Sequence, residues 1–299
     1  MSTRHVRRPD LRVGVLMLPE HPWSIAVEQW RHVEELGFDH AWTYDHLAWR
    51  DLRDGPWFGA VPTLTAAATA TSTIRIGTLV ASPNFRHPVP FARELVSLDD
   101  ISDGRLVLGL GSGGQGWDAT VLGDEPWSAA ERTDRFVEFV DLLDALLRRP
   151  ETDFTGRYWN ARGARTYPGC VQQPRVPFAI AATGPRSMRV AARHASTWVT
   201  TGDRSSHAAL LGPEEGSAVV ARQLEELERA CEEIGRDPTS IARLVLTGPE
   251  LDAGLHSPAA FAETKAAYAA VGVTDLVVHW PRDTQPYAGD PSILERIVD

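Results

Sequence analysis

The chain has 299 residues, of which 43% are hydrophobic and 23% are charged, and its formal net charge is −10. This composition supplies enough apolar side chains for a buried core and excludes a disordered chain. The acidic balance, with no run of basic residues, argues against a nucleic-acid partner. No stretch reaches the roughly 20 apolar residues of a membrane span, and residues 1–10 lack the apolar segment of a signal peptide. We therefore expect a cytoplasmic protein with no membrane partner.

Several kinds of chemistry find no support in the sequence. Cys170 and Cys231 lie far apart and without metal-ligand spacing, which argues against a disulfide framework and a zinc site. Lys265 is the only lysine and lies in a helical pattern, so Schiff-base catalysis is disfavoured. Neither HExxH nor GxSxG occurs. We expect no bound metal.

Short apolar runs alternate with longer helical patterns along the chain. The predicted strands cover residues 11–18, 39–44, 74–80, 105–111, 178–182, 197–202, 240–248 and 275–280. The predicted helices cover residues 24–36, 59–71, 87–103, 128–147, 184–195, 214–235, 258–272 and 291–298. Ser24 is the predicted N-cap of the first helix and Gly37 follows its end, while Ser128 and Glu131 predict a capping box.

Eight strands, each followed by a helix, predict an α/β fold of the (β/α)8 TIM-barrel class. No linker divides the chain, so we expect an N-terminal tail at 1–10 and a single domain over 11–299. Residues 151–177 have turn residues throughout and no helical period. We interpret them as an insertion after the fourth helix, with one small hairpin.

The stretch from Gly109 to Gly114 matches the GxGxxG pattern of a dinucleotide-binding turn. It follows the fourth strand rather than the first, so the nucleotide fingerprint does not apply. In a parallel barrel, however, a glycine-rich strand exit frees backbone N–H groups to bind an anion. A second such turn, at 181–187, bends at Gly184 and Pro185 and begins a helix. The two turns favour a phosphorylated cofactor, although a flexible turn remains the alternative.

The dipeptide Asp-His brackets the second predicted strand. Only the carboxyl end of a barrel strand lies on the active face. Asp45 and His46 are therefore the catalytic candidates, with Asp45 assisting His46 in proton transfer, whereas Asp39 and His40 serve stability. That His46 only hydrogen-bonds within its loop remains an alternative.

Other aromatic and polar residues at strand ends are candidates for a substrate pocket. His279 closes the eighth strand, but its neighbours in sequence offer it no partner, so we rank it below His46. We expect four residues to line the pocket: Trp49, Trp117, Thr201 and His279.

Three segments resemble the bacterial luciferase-like superfamily of flavin and deazaflavin oxidoreductases. They are YDHL after the second strand, IGTLVASPNFRHPVPFARELVSLDDISDGRLVLGLGSG, and QQPRVPFAIAATGPRSMRVAARHASTWVTTG. The resemblance implies a barrel, usually a homodimer, that binds FMN or coenzyme F420. The Asp-His pair after the second strand resembles the F420 branch more than it resembles the luciferases, which carry a Glu-His pair there.

The resemblance also implies where the cofactor lies. Its phosphate would be held by two turns, namely Gly111, Ser112 and Gly113 with Ala182, Thr183, Gly184 and Pro185. A non-prolyl cis peptide would join Leu79 and Val80 and form a bulge behind the ring. Sugar-phosphate dehydrogenases of the family carry glutamate where this chain has Gly114, and they use lysines that this chain lacks. Glucose-6-phosphate is therefore not the expected substrate.

The expected function is hydride transfer between C5 of reduced F420 and a small or medium organic substrate that bears C=C, C=N or C=O. An FMN-dependent monooxygenase is the alternative, and a flavin-binding protein without catalysis is a second. Specificity would lie in the loops at 47–58, 115–127 and 151–177, none of which names a ligand.

Overall fold

Eight parallel strands form a closed barrel in the computed structural model, which describes residues 11–47, 49–123, 125–203 and 210–298. The barrel strands are β1 (Arg12–Met17), β2 (His40–Thr43), β3 (Arg75–Ala81), β4 (Leu106–Leu110), β7 (Phe178–Ala181), β8 (Thr197–Thr200), β9 (Ala242–Leu246) and β10 (Asp275–His279). They follow one another around the barrel in this order, and β10 pairs with β1. The predicted (β/α)8 architecture is confirmed, while the predicted tail at 1–10 lies outside the described residues.

Helices cover the outside of the barrel and bury apolar side chains against it. They are α1 (Trp23–Glu35), α2 (Ala60–Ala70), α3 (Pro88–Ile101), α4 (Ala129–Arg148), α5 (Pro185–His194), α6 (Pro213–Glu232) and α7 (Pro258–Ala270). The predicted last helix at 291–298 is instead a short 3₁₀ helix, Pro291–Arg296, because so few residues do not sustain an α-helix. Within the described ranges, no helix combines the length and apolarity that crossing a bilayer requires.

Two of the predicted helix ends are confirmed and one is wrong. Ser128 accepts the N–H of Glu131, whose carboxylate accepts from Ser128 in return, as a capping box requires. Gly37, just past α1, has a φ of +84°. Ser24 is not the N-cap, because the carbonyl of Pro22 already accepts the N–H groups of residues 25 and 26 and starts α1 at Trp23.

The insertion after α4 contains the predicted hairpin, formed by β5 (Glu151–Thr155) and β6 (Asn160–Arg165). The carboxylate of Glu138 on α4 accepts the backbone N–H groups of residues 157, 158 and 159 in the segment between the strands. Arg93 on α3 donates to the carbonyls of Arg165 and Tyr167. The hairpin is thus fastened to two helices of the barrel.

The barrel interior is packed unevenly around its circumference. Because strand side chains alternate, β2 directs His40 and Trp42 inward. The neighbouring strand β3 carries Gly77 opposite Trp42, and a Cβ on Gly77 would lie 2.6 Å from the indole. Large side chains on one strand thus fill space that a glycine on the next strand leaves free.

Candidate active site

Two glycine-bearing turns lie side by side at the rim where the carboxyl ends of the strands meet. The first follows β4 and includes Gly111, and the second follows β7. β4 and β7 are hydrogen-bonded neighbours, with Leu110 opposite Ile180. A Cβ built on Gly111 would lie 3.7 Å from the Cβ of Ala181. The structure therefore brings the two turns together on one rim of the barrel.

The turn after β4 has room and backbone geometry only for glycine. A Cβ on Gly111 would lie 2.6 Å from Val80 Cγ2, and Gly113 has a φ of +76°. In the described part of the chain, the N–H groups of Ser112, Gly113 and Thr183 donate to no protein acceptor. Unpaired N–H groups in such a turn attract an anion.

α5 begins directly after the second turn. Gly184 lies at its N-cap and Pro185 is its first residue, and Ser187 Oγ accepts the N–H of Gly184 at 3.2 Å. The positive end of the helix dipole adds to the attraction for an anion. We call the two turns together the glycine cradle, residues 111–113 and 182–185. Its unpaired donors and small side chains fit a phosphate group.

The strand beside the glycine cradle is irregular at its carboxyl end. The Leu79–Val80 peptide is cis. The pairing of β3 with β4 shifts register between Thr78 and Ala81, which makes a bulge at this point. Val80 lies against Gly111, so the bulge forms one wall of the cradle. Both the cis bond and the bulge agree with what the family resemblance implied.

Asp45 and His46 do not interact with each other as the sequence analysis expected. Asp45 is 2% exposed and accepts two hydrogen bonds from Arg86, at 2.8 and 3.0 Å. Arg86 also contacts Glu94 at 3.0 Å. Successive residues of an extended segment point in different directions, which turns this carboxylate away from the imidazole. Among the described residues, the direct contact expected between Asp45 and His46 is not formed, and each side chain has another partner.

The carboxylate partner of His46 is Asp118, which lies in the loop after β4. His46 Nδ1 forms a short hydrogen bond with Asp118 Oδ2, and the N–H of Leu47 donates to Oδ1 at 2.8 Å. The side chain of Asp118 is 5% exposed and that of His46 is 32% exposed. Asp118 therefore holds the Nδ1 edge of the imidazole, and among the described residues no protein group binds the other ring nitrogen of His46, Nε2.

Aromatic side chains close the mouth of the barrel beside His46. The ring of Tyr44 stacks on Trp49 at 5.1 Å between centroids, and Trp49 stacks in turn on Trp57 at 6.3 Å. Tyr287 lies on His279 with centroids 3.5 Å apart and planes 14° apart. We call these five residues the aromatic cluster.

His279 has a partner that its sequence neighbours do not reveal. Its Nε2 lies 2.8 Å from the hydroxyl of Tyr44, at the opposite side of β1. His279 is 3% exposed, and burial lowers its pKa to about 3. The imidazole is therefore neutral near pH 7. Among the described residues, its Nδ1 has no hydrogen-bond partner.

The structure brings only some of the predicted pocket residues together. Trp49 and His279 belong to the aromatic cluster, and Thr201 follows β8 at the same rim, partly buried. Trp117 is 46% exposed on the rim, and the guanidinium carbon of Arg53 lies 4.2 Å from the centroid of its ring. It does not contact the cluster through any ring pair.

Asp39 and His40 lie at the opposite end of the barrel. The carboxylate of Asp39 accepts the N–H of Val13 at 2.8 Å. His40 contacts Asp275 at 3.1 Å and accepts the indole N–H of Trp42 at 2.7 Å. Asp275 also accepts two hydrogen bonds from Arg12, each at 2.8 Å. These contacts support the structural role expected for this pair.

Sequence reasoning missed Asp118, Tyr44 and Tyr287. Asp118 and Tyr287 occupy loops, and no local pattern connects them to an imidazole. Tyr44 carried a usable signal, because it continues the inward-facing alternation of His40 and Trp42. Among the described residues, no group of three His, Cys, Asp or Glu side chains could hold a metal ion.

A closed (β/α)8 barrel with a glycine cradle beside a cis bulge on β3 defines a narrow class of barrel proteins. The sequence profile of the luciferase-like monooxygenase family matches residues 11–271. The chain belongs to this family.

Curated relatives are similar over most of this chain. An F420-dependent hydroxymycolic acid dehydrogenase of Mycobacterium tuberculosis is 31% identical over 70% of the chain and 54% of its own length. An F420-dependent glucose-6-phosphate dehydrogenase of Beutenbergia cavernae is 33% identical over 72% of the chain and 65% of its own length. In both comparisons, the match spans less than two thirds of the relative.

A solved structure supports the fold. An F420-dependent secondary alcohol dehydrogenase in complex with an F420-acetone adduct superposes with a TM-score of 0.79. The match covers 96% of this chain and 97% of that one at 19% identity. At this identity, the likeness concerns the fold.

Proposed function

We propose that the protein is an F420-dependent oxidoreductase whose substrate is a small or medium organic molecule with a C=C, C=N or C=O bond. The observation that carries the proposal is the glycine cradle beside the cis bulge, which fits a phosphorylated cofactor. The F420-dependent names of both curated relatives support the choice of cofactor. Bound F420 supplies hydride transfer at its C5.

The residues of the cradle would hold the cofactor by its phosphate. The N–H groups of Ser112, Gly113 and Thr183 are the donors, and the N-terminus of α5 at Gly184 and Pro185 adds its dipole. Leu79 and Val80 form the apolar bulge beside them.

His46 is the proposed proton donor and acceptor. Asp118 binds its Nδ1, which orients the ring and leaves Nε2 to exchange a proton with the substrate. Asp45 has a positioning role in this proposal, because its two hydrogen bonds with Arg86 fix the backbone directly before His46.

Cofactor binding tests the proposal directly. Purified protein titrated into F420 and, separately, into FMN should quench the fluorescence of F420 and leave that of FMN unchanged. Gly111→Val should abolish the quenching, because its side chain would collide with Val80. Gly212→Val is a matched control at the N-cap of α6, where a Cβ meets nothing within 4 Å and the φ of −65° suits any residue.

The rival functions predict different results. An FMN-dependent monooxygenase would bind FMN tightly, ignore F420 and consume oxygen when FMN is reduced. A flavin-binding protein without catalysis would bind a cofactor, but it would not catalyse the oxidation of reduced F420 by any substrate. Tight binding of FMN alone would contradict the F420 proposal.

The proposal includes a cytoplasmic homodimer built from a single domain over residues 11–299. The two described cysteines are buried and unpaired, which supports a reducing compartment.

α2 carries no charged residue, and an apolar cavity of about 390 Å³ lies between it and α1. The absence of charge on α2 and the apolar cavity beside it support the burial of this helix against a second copy of the chain. Ala66→Glu, in the lining of the cavity, should convert the dimer to a monomer in light scattering.

A further inference from the structure

We propose that Tyr44, held by His279, is the hydrogen-bond donor for the oxygen atom of a carbonyl or alcohol substrate at the mouth of the barrel. This inference rests on the proposed function, which leaves the reacting bond open among C=C, C=N and C=O. It narrows that choice to a carbon that bears oxygen. Neither side chain belongs to the glycine cradle, so cofactor binding and substrate recognition are assigned to different residues.

The inward-facing residues at the mouth differ in size between the two halves of the barrel. The large ones are Tyr44, which directly follows β2, and His279, the last residue of β10; these two strands lie on either side of β1. Across the barrel, the residues at or just after the ends of β4, β7 and β8 are small: Gly111, Ala181 and Thr201. The small half adjoins the glycine cradle. Tyr44 and His279 therefore face the space beside the place proposed for the cofactor.

The Tyr44–His279 pair is buried, hydrogen-bonded and neutral. Tyr44 is 5% exposed, and its hydroxyl lies 2.8 Å from His279 Nε2. Burial raises the pKa of Tyr44 well above 10 and lowers that of His279 to about 3, so neither group is charged near pH 7. A neutral donor in an apolar site selects a neutral oxygen, because an ionised group would lose its hydration there.

Tyr287 marks the position that a substrate oxygen would take. Its hydroxyl lies 3.4 Å from that of Tyr44, beyond the usual range for two hydroxyl groups, so the contact is weak. Tyr287 is half-buried in the loop after β10, and its ring lies on His279. A substrate oxygen that displaces this hydroxyl exchanges a weak contact for a full hydrogen bond.

The hydrogen-bond count determines where the imidazole proton must lie. A phenol has one O–H, and Tyr44 can give it to a substrate only if His279 donates from Nε2 to the phenol oxygen. Nδ1 is then unprotonated; it has no hydrogen-bond partner among the described residues, although the backbone of Thr247 lies close enough to raise the pKa of the imidazole against the effect of burial. The proposal therefore requires the Nε2–H tautomer of His279.

The surroundings of the pair suit the rest of such a substrate. Trp49 and Tyr287 stack at 6.1 Å and provide flat apolar walls for its carbon skeleton. Both carbonyl and alcohol oxygens accept a hydrogen bond, so one donor serves both members of a two-electron pair.

Two probes that differ only at the oxygen test the inference. Acetophenone carries a carbonyl oxygen, and ethylbenzene has the same carbon skeleton without it. Their dissociation constants would be measured by ligand-observed NMR with the unaltered protein and with Tyr44→Phe. We expect acetophenone to bind more tightly than ethylbenzene to the unaltered protein. Tyr44→Phe should weaken acetophenone about three- to tenfold and leave ethylbenzene unchanged.

A double-mutant cycle separates positioning by His279 from a structural effect. His279→Leu should weaken the binding of acetophenone and leave that of ethylbenzene unchanged. The double variant Tyr44→Phe/His279→Leu should bind acetophenone no more weakly than Tyr44→Phe does. Tyr287→Phe should not weaken acetophenone, because its hydroxyl is the group displaced. The ¹⁵N shifts of His279 should report a proton on Nε2.

The outcomes distinguish this inference from the proposed function. Titrations of acetophenone with and without F420 test the role of Tyr44 and the cofactor assignment separately. F420 binding by Tyr44→Phe reports that the variant is folded. Equal affinity of acetophenone for the unaltered protein and Tyr44→Phe would overturn the role of Tyr44. So would equal affinity of the unaltered protein for acetophenone and ethylbenzene. Loss of F420 binding by the unaltered protein would contradict only the cofactor assignment.

Discussion

The same dipeptide, Asp-His, stands at both ends of β2, and its two copies have opposite surroundings. At the amino end, His40 is 7% exposed at its side chain and both ring nitrogens are bound, one by Asp275 and one by Trp42. At the carboxyl end, His46 is 32% exposed and is bound through Nδ1 to Asp118. The amino end is a closed network, whereas the carboxyl end leaves one nitrogen for a ligand.

The difference follows from the barrel rather than from the residues. Side chains at the amino end point into a filled interior, where an unpaired polar group is costly. Side chains at the carboxyl end emerge among loops, where space and water are available. The histidine therefore stabilises the fold at the amino end and is more exposed at the carboxyl end, whereas the aspartate is hydrogen-bonded within the protein at both ends.

The largest expected effect separates the two histidines by activity. His46→Ala should lower turnover by about 10²- to 10⁴-fold, as loss of a general acid or base does, with F420 still bound. The matched variant His40→Ala should bind cofactor normally but unfold more easily. Fluorescence titration and turnover of reduced F420 with an accepted substrate would measure both. Full turnover by His46→Ala would contradict its catalytic role.

The closed network should be the more sensitive end in stability. Asp275→Ala leaves His40 and Arg12 without their shared carboxylate and should cost about 3 kcal/mol of unfolding free energy. Asp275→Asn, which keeps the shape and acceptor oxygen, should cost less. Chemical denaturation measures both, and an unchanged midpoint for Asp275→Ala would show that the network does not stabilise the fold.

His279 should make the carboxyl end sensitive to acid. Its pKa falls from 6.5 in the unfolded chain to about 3 in the folded one, so the unfolded state binds more protons between these values. Its contribution to stability is complete above pH 6.5 and is lost as the pH falls. Between pH 7 and 4.5, this group alone should cost about 2 to 3 kcal/mol.

The variant His279→Gln isolates that contribution, because glutamine does not titrate but can still donate to Tyr44. Unfolding free energies of both proteins would be compared at pH 7 and pH 4.5. We expect a smaller loss in His279→Gln. An equal loss in the two proteins would assign the acid sensitivity to carboxylates such as Asp275, whose pKa is also lowered in the folded state.

The smallest effect tests which carboxylate serves His46. Asp118→Asn keeps an oxygen for the N–H of Leu47 but removes the charge beside the imidazole, and should lower turnover about tenfold. With His46→Ala already present, it should have no further effect. Asp45→Asn should instead reduce stability, because it leaves Arg86 partly unpaired. The reverse result would restore Asp45 as the partner.

Features that depend on neighbouring residues were predictable from the sequence. The alternation of apolar runs and helical patterns gave the strand order of the barrel, and Ser128 with Glu131 marked the start of α4. The glycine turns were found because a glycine pattern is itself local. Ser24 misled because the proline before it already satisfies the first helical N–H groups.

Contacts between distant residues were not predictable. His46 and Asp118 are 72 positions apart, and Tyr44 and His279 are 235 positions apart. The barrel brings such pairs together in two ways: β10 returns to β1 beside β2, and β3 places the segments that follow β2 and β4 near each other at one rim. A carboxylate next to a histidine in sequence, such as Asp45, is a poor guide, because strand geometry sends adjacent side chains apart.

The uneven mouth of the barrel has a consequence for redesign. The small half, around Gly111 and Ala181, leaves little freedom for exchange, because a single added methyl group at position 111 would collide with Val80. The large half depends on Trp49 and Tyr287, which stand on loops. Libraries that vary only those two loops would therefore change which substrates are accepted and leave the rest of the barrel unaltered.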